Sequence, residues 1–368
     1  MKFFPKIALA GIVLSVANAQ TFPHKIDLPT DSPVVLLSAD FSNSQATARG
    51  GAYLVDVYAS LSLRNTTQRR IRGITLAVYS LDSAPGKGSV SVPSLDVAPG
   101  AAFSVRIENH LVRPVGSGSN APGVEVKLDG VLFDDLGFYG PDALESQRLM
   151  TKWELEARRD RDHLKSVLKA SGPAGLGKEM LAGLSRQSER RGPSVQMVRG
   201  RATNQDAERD LRLAFLSMPD APVEASDGTA RLSLTPSMSE ARAPRFSVRN
   251  RSPRAVEHLE IGWIVKDQQG REFYAASMPA DLKLAPNQSG DVRQDASLRV
   301  QQAVAIQSVT GFVASVEFAD GGQWIPSSAA LASQHLRDLV PASPEEQRLL
   351  QIYSKKGLDA LIEELKKF

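Results

Sequence analysis

The tetrapeptide Ser-Leu-Arg-Asn at residues 62–65 recurs as Ser-Val-Arg-Asn at residues 247–250, 185 residues later. The same spacing relates residues 62–82 to residues 247–267 without a gap. Two stretches that align over this length at one fixed spacing are the signature of an internal duplication. The chain is therefore expected to contain one structural module twice.

A second block of similarity closes each copy. The pattern Val-x-Phe-x-Asp-x-Gly-x-x-x-Pro runs from Val131 to Pro141 and again from Val316 to Pro326. In the second copy an Asp-Gly pair interrupts two apolar runs, which predicts a hairpin, because both central residues of such a turn must tolerate positive φ. Five aromatic residues are expected to mark the cores of the two copies: Phe133, Tyr139, Trp263, Phe318 and Trp324.

Alternating apolar residues predict β-strands inside each copy. Ile74, Leu76 and Val78 recur at a period of two and would share one face of a half-buried strand. Short strands separated by turns, without helices between them, are typical of an antiparallel sandwich. Each copy is therefore expected to form such a sandwich.

The copies resemble bacterial exported immunoglobulin-like or fibronectin-III-like domains in length, strand spacing and closing hairpin. The resemblance covers residues 33–141 and 229–326 and brings no catalytic residues with it. It implies a mainly β fold class with α appendages, in which two antiparallel immunoglobulin-like β-sandwiches are each followed by a helix.

The predicted domain organisation follows from these copies and from the residues between them that start or interrupt helices. Gly172-Pro173 is expected to end a helix, a short helix is expected near 206–216, and Ser343-Pro344 begins a C-terminal helix that Gly357 interrupts. The predicted segments are a signal peptide at 1–19, a first sandwich at 33–141, a helix at 142–170, a linker with short helices at 171–227, a second sandwich at 228–326 and C-terminal helices at 327–368.

The N-terminus reads as a secretory signal. Lys2 and Lys6 precede an apolar run at 7–16, and Ala-Asn-Ala at 17–19 supplies the small residues that signal peptidase requires. The run is shorter than the roughly 20 residues needed to span a bilayer. We therefore expect cleavage after Ala19, a periplasmic or extracellular protein with no transmembrane segment, and a fall in formal charge from +3 to +1 as the two lysines are lost.

Composition narrows the possible chemistry. The 368 residues include no cysteine and five histidines. Thiolate metal sites, iron–sulfur clusters and thiol nucleophiles are excluded, and the histidines lack the paired spacing of a zinc site. We expect no cofactor, no metal and no catalytic residue, and no clustered basic face that would indicate nucleic acid as a partner.

Arginines supply the remaining candidate contacts. Solvated surface charge explains them as well as binding does, but together they could contact an anionic glycan or polymer. The residues are Arg69, Arg70, Arg72, Arg190, Arg191, Arg199 and Arg201.

The sequence therefore predicts an exported, non-enzymatic binding or scaffold protein that acts through protein–protein contacts in the cell envelope or outside the cell. Loops and exposed strand edges would make these contacts, since strand edges pair readily with extended segments. A glycan- or polyanion-binding module is one alternative, and an accessory or degenerate hydrolase is a second.

Overall fold

A computed structural model of the chain describes residues 22–81, 87–114, 123–189, 195–199, 208–235, 238–301 and 305–368. Over these residues the protein is mainly β, with several sheets and helices after each sequence copy. The predicted signal peptide and Arg190, Arg191 and Arg201 lie outside the described residues.

The elements of the first copy run in the order β1 (His24–Asp27), β2 (Val34–Asp40), β3 (Gln45–Arg49), β4 (Ala52–Asn65), β5 (Ile71–Ser80), β6 (Lys87–Val92), β7 (Ala102–Pro114), β8 (Val124–Phe133), β9 (Phe138–Tyr139) and α1 (Ser146–Glu189).

The elements that follow are β10 (Val195–Arg199), β11 (Glu208–Phe215), β12 (Val223–Thr235), β13 (Met238–Asn250), β14 (Val256–Asp267), β15 (Glu272–Leu284), β16 (Ser289–Arg293), β17 (Ala296–Gln301), β18 (Ile306–Phe318), β19 (Gln323–Trp324), α2 (Ser328–Ser333), α3 (Leu336–Leu339) and α4 (Pro344–Leu365).

The chain divides into two compact units, and this division differs from the predicted domains. The first unit is Met1–Gln68, Thr75–Val90 and Val97–Asp129, and the second is Arg69–Ile74, Ser91–Asp96 and Gly130–Phe368. The closing hairpin of the first copy thus belongs to the second unit. There Gly130 leaves no room for a Cβ beside Phe138 and the Ser146 hydroxyl.

In the first unit, β4 is the centre of a four-stranded sheet. β2 and β3 pair with successive parts of one edge of β4, and β7 pairs along the other edge. Val57, Ala59, Leu61 and Leu63 of β4 are buried, while the alternate residues Tyr58, Ser60 and Ser62 are more exposed, as the period of two requires.

In the second unit, β10 to β19 form a ten-stranded sheet in the order β10-β17-β13-β12-β11-β18-β14-β15, with β16 on β13 and β19 on β18. Trp263 of β14 is fully buried. Its ring lies 5.8 Å from those of Phe215 and Phe246.

The predicted closing hairpin of the second copy is present, and a further hairpin joins β14 and β15. β18 and β19 pair through Val316 and Trp324, and Gly321 between them has a φ of 79°. β14 and β15 meet at a tight turn in which the Gly270 amide donates to the Asp267 carbonyl at 3.0 Å. The local turn chemistry was sufficient to predict the hairpin of β18 and β19.

The pairing is not wholly antiparallel, which corrects the predicted sandwiches. β1 runs parallel to β8, with His24 opposite Val124, and β11 runs parallel to β18, with Leu213 opposite Val309. Val124 and Val309 are again 185 residues apart. These strands precede the predicted starts of the two copies, so the repeat begins earlier than its sequence signal.

The predicted linker at 171–227 was wrong in most of its length. The predicted short helix near 206–216 is strand β11, which hydrogen-bonds to β12 and β18. β12 also begins inside the predicted linker, at Val223. Non-local pairing with remote strands decides these conformations, and a local search for periodicity cannot detect it.

Helix α1 also continues past its predicted end. Gly172 is non-helical, with φ 65° and ψ −170°, but the helix resumes at Pro173. Proline suits the first position of a helix because its missing N–H would have no partner there. The resumed segment buries Leu176 and Met180 against α4.

The C-terminal helix begins as predicted. The Ser343 hydroxyl accepts from the Glu346 amide at 3.0 Å and caps α4. Gly357 interrupts the helix with φ 84° and ψ −178°. Paired buried residues of α1 and α4 share one apolar cluster at the 185-residue spacing: Leu164 with Leu349, Leu176 with Leu361, and Met180 with Leu365.

Equivalent asparagines in the two copies make the same hydrogen bonds. Asn65 and Asn250 are fully buried, and each donates its side-chain amide to two carbonyls at 3.1–3.2 Å. Each also accepts from a hydroxyl two residues on, in Thr67 and Ser252. Their Asn-x-Ser/Thr sequence is thus a structural turn rather than an exposed glycosylation site.

Candidate functional site

A cavity of about 230 Å³ lies in the second unit, where α1 and α4 meet the β-sheet and the chain segment around α2 and α3. We call it the helix–sheet cavity. Its lining combines ionisable side chains with aromatic and aliphatic ones, which is the composition of small-molecule sites in general.

One face of α1 supplies the polar wall. Lys152, Glu156, Arg159 and His163 all line the cavity. Their spacings of four, three and four residues place them on a single face of the helix.

Lys152 and Glu260 form the ion pair at one end of this face. Lys152 Nζ donates to Glu260 Oε2 at 2.6 Å, and Glu260 also accepts from Ser315 at 2.9 Å and from Ser277. Burial opposes ionisation of Glu260, but these partners outweigh it and lower its pKa. For Lys152, burial is likewise outweighed by Glu260 and Glu156, so its pKa is raised.

Glu156 has a different environment. Its carboxyl group makes no hydrogen bond or ion pair with any residue that the structure describes. Burial raises the pKa of Glu156, and the charges of Lys152 and Arg159 oppose this shift only in part. A carboxyl group in this position is an unused acceptor facing the cavity.

Arg159 and Asp160 tie the polar wall to α4. Arg159 Nε donates to Asp160 Oδ1 at 2.8 Å, and the Ser343 hydroxyl donates to Asp160 Oδ2 at 2.5 Å. Since Ser343 is the cap of α4, the start of that helix is fixed to the cavity rim. Burial alone would lower the pKa of Arg159. The charges of Asp160 and Glu156 outweigh this effect, so the pKa of Arg159 is raised overall.

His163 is the last residue of the α1 face. Its Nε2 is buried and has no hydrogen-bond partner in the described part of the chain. Burial lowers the pKa of His163, and the Arg337 charge lowers it further. The imidazole is therefore neutral at pH 7.

The opposite wall is largely aromatic and aliphatic. Tyr274 and Phe312 lie with ring centroids 6.4 Å apart, and Leu331 and Met180 add aliphatic surface. Burial raises the pKa of Tyr274, so its hydroxyl stays protonated.

The charged residues of the lining are balanced in number. Glu179 forms ion pairs with two arginines, its Oε1 lying 2.8 Å from Arg337 Nη2 and 3.2 Å from Arg186 Nη2. Arg186 Nη2 also lies 3.5 Å from Glu346 Oε1. The cations of the lining are Lys152, Arg159, Arg186 and Arg337, and the anions are Glu156, Asp160, Glu179 and Glu346. Glu260, which pairs with Lys152, adds a fifth carboxyl group beside this lining, so the four cations face five carboxyl groups.

The sequence did not identify this cavity. Its signal was present in the spacing of the α1 face, but the same spacing also describes a solvated helix surface. The distinction requires knowing that a sheet covers that face.

Of the arginines predicted to bind a polyanion, the structure describes Arg69, Arg70, Arg72 and Arg199. Arg69 pairs with Asp135 and lies 3.9 Å from the Phe133 ring centroid. Arg70 and Arg72 both donate to Asp96, at 2.7 and 2.8 Å. Arg199 lies in β10, so the polyanion contact stays a prediction.

The predicted core markers differ in burial. Phe133, Trp263 and Phe318 are buried, whereas Tyr139 and Trp324 are half-buried. Phe318 lies under Arg254, 3.8 Å from the guanidinium carbon, and Arg254 pairs with Asp320. This repeats the arrangement of Arg69, Phe133 and Asp135 in the first copy.

A second candidate surface is the outer edge of β7 in the first unit. β7 pairs with β4 over its whole length, from Ala102 opposite Arg64 to Pro114 opposite Ala52. No described strand pairs with its other side. Side chains alternate along it, with Val105 and Ile107 buried and Arg106 and Glu108 exposed.

The hydrogen-bond alternation of β7 follows from its first contact with β4. The backbone N–H of Asn65 donates to the backbone carbonyl of Ala101 at 3.0 Å. Hydrogen-bonded and non-hydrogen-bonded pairs alternate in an antiparallel ladder, so odd-numbered residues of β7 bond to β4. The even-numbered residues direct their N–H and C=O groups away from it.

No family model matches the chain, and no curated protein matches it. Within the residues that the structure describes, no helix is both long and apolar enough to span a membrane. Those residues also contain no group of three or more His, Asp or Glu side chains placed to hold a metal ion.

Solved structures give weak similarities. A β-glucosidase from Kluyveromyces marxianus in complex with glucose aligns at 10% identity and a TM-score of 0.15, covering 76% of this chain and 47% of that chain. A bacterial adhesin from Mobiluncus mulieris aligns at 8% identity and a TM-score of 0.15, covering 73% of this chain and 96% of that chain. This chain spans about half the length of the glucosidase. Scores of this size establish no shared fold.

Proposed function

We propose that this chain is an exported, non-enzymatic scaffold that binds an extended protein segment along the outer edge of β7. In this proposal the two copies are immunoglobulin-like β-sandwiches, and the protein acts in the periplasm or outside the cell. The repeated contacts support the duplicated module, and the N-terminal sequence supports export.

The unpaired side of β7 is the observation that carries the binding proposal. A strand of 13 residues with backbone groups directed outward is a ready template for an added strand. Main-chain hydrogen bonds would supply affinity, and alternate side chains would supply specificity.

The outward face beside this edge offers side chains for that specificity. Val112 of β7 is 60% exposed and Tyr58 of β4 is 37% exposed. The His110 ring lies edge-on to Tyr58 with centroids 5.9 Å apart, and its Nδ1 is 2.7 Å from Asp56. An added strand would therefore meet apolar, aromatic and charged groups in succession.

The polyanion alternative has weaker support, because Arg69, Arg70 and Arg72 already donate to carboxylates. No contact among the described residues favours an accessory or degenerate hydrolase.

A crosslinking experiment in the native host tests the binding proposal. A photo-reactive residue at Val112 should form an adduct with a protein partner. Glu108→Pro should abolish the adduct, because it removes an outward N–H while sparing every bond to β4, and proline is tolerated at strand edges. Glu108→Ala is the matched control and should keep the adduct.

Both Glu108 variants should first be shown to melt at the wild-type temperature, so that loss of the adduct cannot be due to unfolding. No adduct, or an adduct that survives Glu108→Pro, would contradict binding at the β7 edge. N-terminal sequencing of the mature protein tests export separately and should begin at Gln20.

A further inference from the structure

The helix–sheet cavity contains hydrogen-bonding groups that the internal network leaves unused. Glu156 makes no hydrogen bond to a described residue, and the buried Nε2 of His163 has no partner there either. Lys152 Nζ donates only to Glu260 within the described chain, although an ammonium group has three N–H donors. These groups lie on one helix face, and Lys152 and Glu156, one turn apart, are placed to meet a single small molecule, whereas His163 lies about two turns further along the helix.

Leaving such groups unsatisfied is costly. A buried polar group without a partner loses about 1–3 kcal/mol, and more when it is charged. A native protein accepts this cost where a ligand or ordered water completes the hydrogen bonds. The unpartnered Nε2 of His163, which is buried, and the unused carboxyl group of Glu156, which is half-buried, therefore indicate a binding site rather than a packing element.

The volume limits the size of the occupant. The share of liquid volume taken by one water is about 30 Å³, so a cavity of about 230 Å³ suits a molecule of roughly eight to ten non-hydrogen atoms. The aromatic and aliphatic wall of Tyr274, Phe312 and Leu331 requires part of that molecule to be apolar.

The existing ion pairs limit its charge. Lys152 pairs with Glu260 and Arg159 pairs with Asp160, so Glu156 is the carboxyl group that a ligand's ammonium group would compensate. A zwitterion supplies that ammonium group and leaves the net charge of the site unchanged. Lys152 and Glu156 are four residues apart on the helix, a spacing that brings side chains about 5–6 Å from each other at Cβ, and they offer a donor and an acceptor to the two ends of a zwitterion.

We propose that the helix–sheet cavity binds a free α-amino acid with a compact apolar side chain. The ligand's ammonium group donates to Glu156, its carboxylate accepts from Lys152, and its side chain packs against Tyr274 and Phe312. This site is independent of the proposed binding of a protein segment at the β7 edge.

Calorimetry on the full chain at pH 7 tests the proposal. L-valine, L-leucine and L-isoleucine are the amino-acid probes. 3-Methylbutylamine is leucine without its carboxylate, and 4-methylpentanoate is leucine without its ammonium group. At least one amino acid should bind saturably, and both leucine analogues should bind at least tenfold more weakly than leucine.

Two variants assign the site. Glu156→Gln should weaken amino-acid binding at least tenfold while the protein stays folded, because the half-buried carboxyl group makes no hydrogen bond to a described residue. Asp162→Asn is the matched control, since Asp162 is an exposed carboxylate on the same helix, and it should bind as the wild type does. Melting curves of both variants establish that they are folded.

The opposite results would overturn the proposal. Absence of binding by all three amino acids would indicate a cavity that holds only water. Equal binding of leucine and either analogue would mean that one charged end is not recognised. Unchanged affinity in Glu156→Gln would place the ligand elsewhere.

Discussion

Gly172 and Gly357 stand 185 residues apart and have the same backbone conformation, with φ/ψ of 65°/−170° and 84°/−178°. Each interrupts a helix, and the two helices pack on each other through Leu176 and Leu361, which follow the glycines by four residues and are fully buried. The duplication therefore includes the kinked helices as well as the strands.

The first prediction concerns these kinks. Gly172→Ala and Gly357→Ala should each lower the stability by about 1–3 kcal/mol, because side chains other than glycine's are strained at these angles. Gly177→Ala is the control in the same helix, since its nearest neighbours lie 3.9 Å or more away. It should stabilise the protein by up to about 1 kcal/mol. Chemical denaturation measures all three, and equal effects would disprove the strain argument.

The second prediction concerns the repeated asparagines. Asn65→Ala should cost about 3 kcal/mol, because it leaves buried carbonyls of Val97 and Ala98 without their donor. Asn250→Ala should cost a similar amount for the same reason. Asn65→Asp retains the acceptor for Thr67 but places a carboxylate against the Val97 and Ala98 carbonyl oxygens in a fully buried site, so thermal denaturation at neutral pH should show it to be at least as unstable as Asn65→Ala. A neutral effect of Asn65→Ala would contradict a structural role.

The third prediction concerns a buried ion-pair network between α1 and α4. Arg161 is 3% exposed and lies 3.2 Å from both Glu154 and Glu345. Arg161→Met should cost about 3–5 kcal/mol, because it leaves buried carboxylates undercompensated. Adding Glu345→Gln should recover part of this loss. A double-mutant cycle measures the coupling, and strictly additive effects would show that the pair does not interact.

The fourth prediction concerns the opposite pH dependence of two carboxyl groups at the cavity. The pKa of Glu260 is lowered below its ordinary value of 4.5 on folding, so its contribution to stability is present above pH 4.5 and is lost as the pH falls through the folded pKa. Glu260→Gln should therefore be most destabilising at neutral pH, with a deficit that shrinks in acid.

Glu156 should behave in the opposite sense. Its pKa is raised above 4.5 on folding, so its favourable contribution is present below pH 4.5 and is lost as the pH rises through the folded pKa. In the absence of ligand, Glu156→Gln should stabilise the protein at neutral pH and become neutral in acid. Denaturation midpoints from pH 3 to pH 8 would reveal both trends, and parallel trends would contradict the assigned environments.

Local sequence chemistry was sufficient where a feature depends on neighbouring residues. The cap at Ser343, the interruption at Gly357 and the hairpin at Gly321 each need only a few adjacent residues with suitable hydrogen-bonding or conformational properties. β11 was mistaken for a helix because its conformation depends on pairing with β12 and β18, which its own residues do not specify.

The sequence by itself determined that the chain contains two copies of one module and that the module is rich in strands, because a fixed spacing and a period of two are visible along a single dimension. Only the tertiary structure decided which strands pair in parallel, which side of β7 is left without a described partner, and which face of α1 borders a cavity. These depend on contacts between residues far apart in the chain, and a partner such as Glu260 for Lys152 becomes apparent only when folding brings them together.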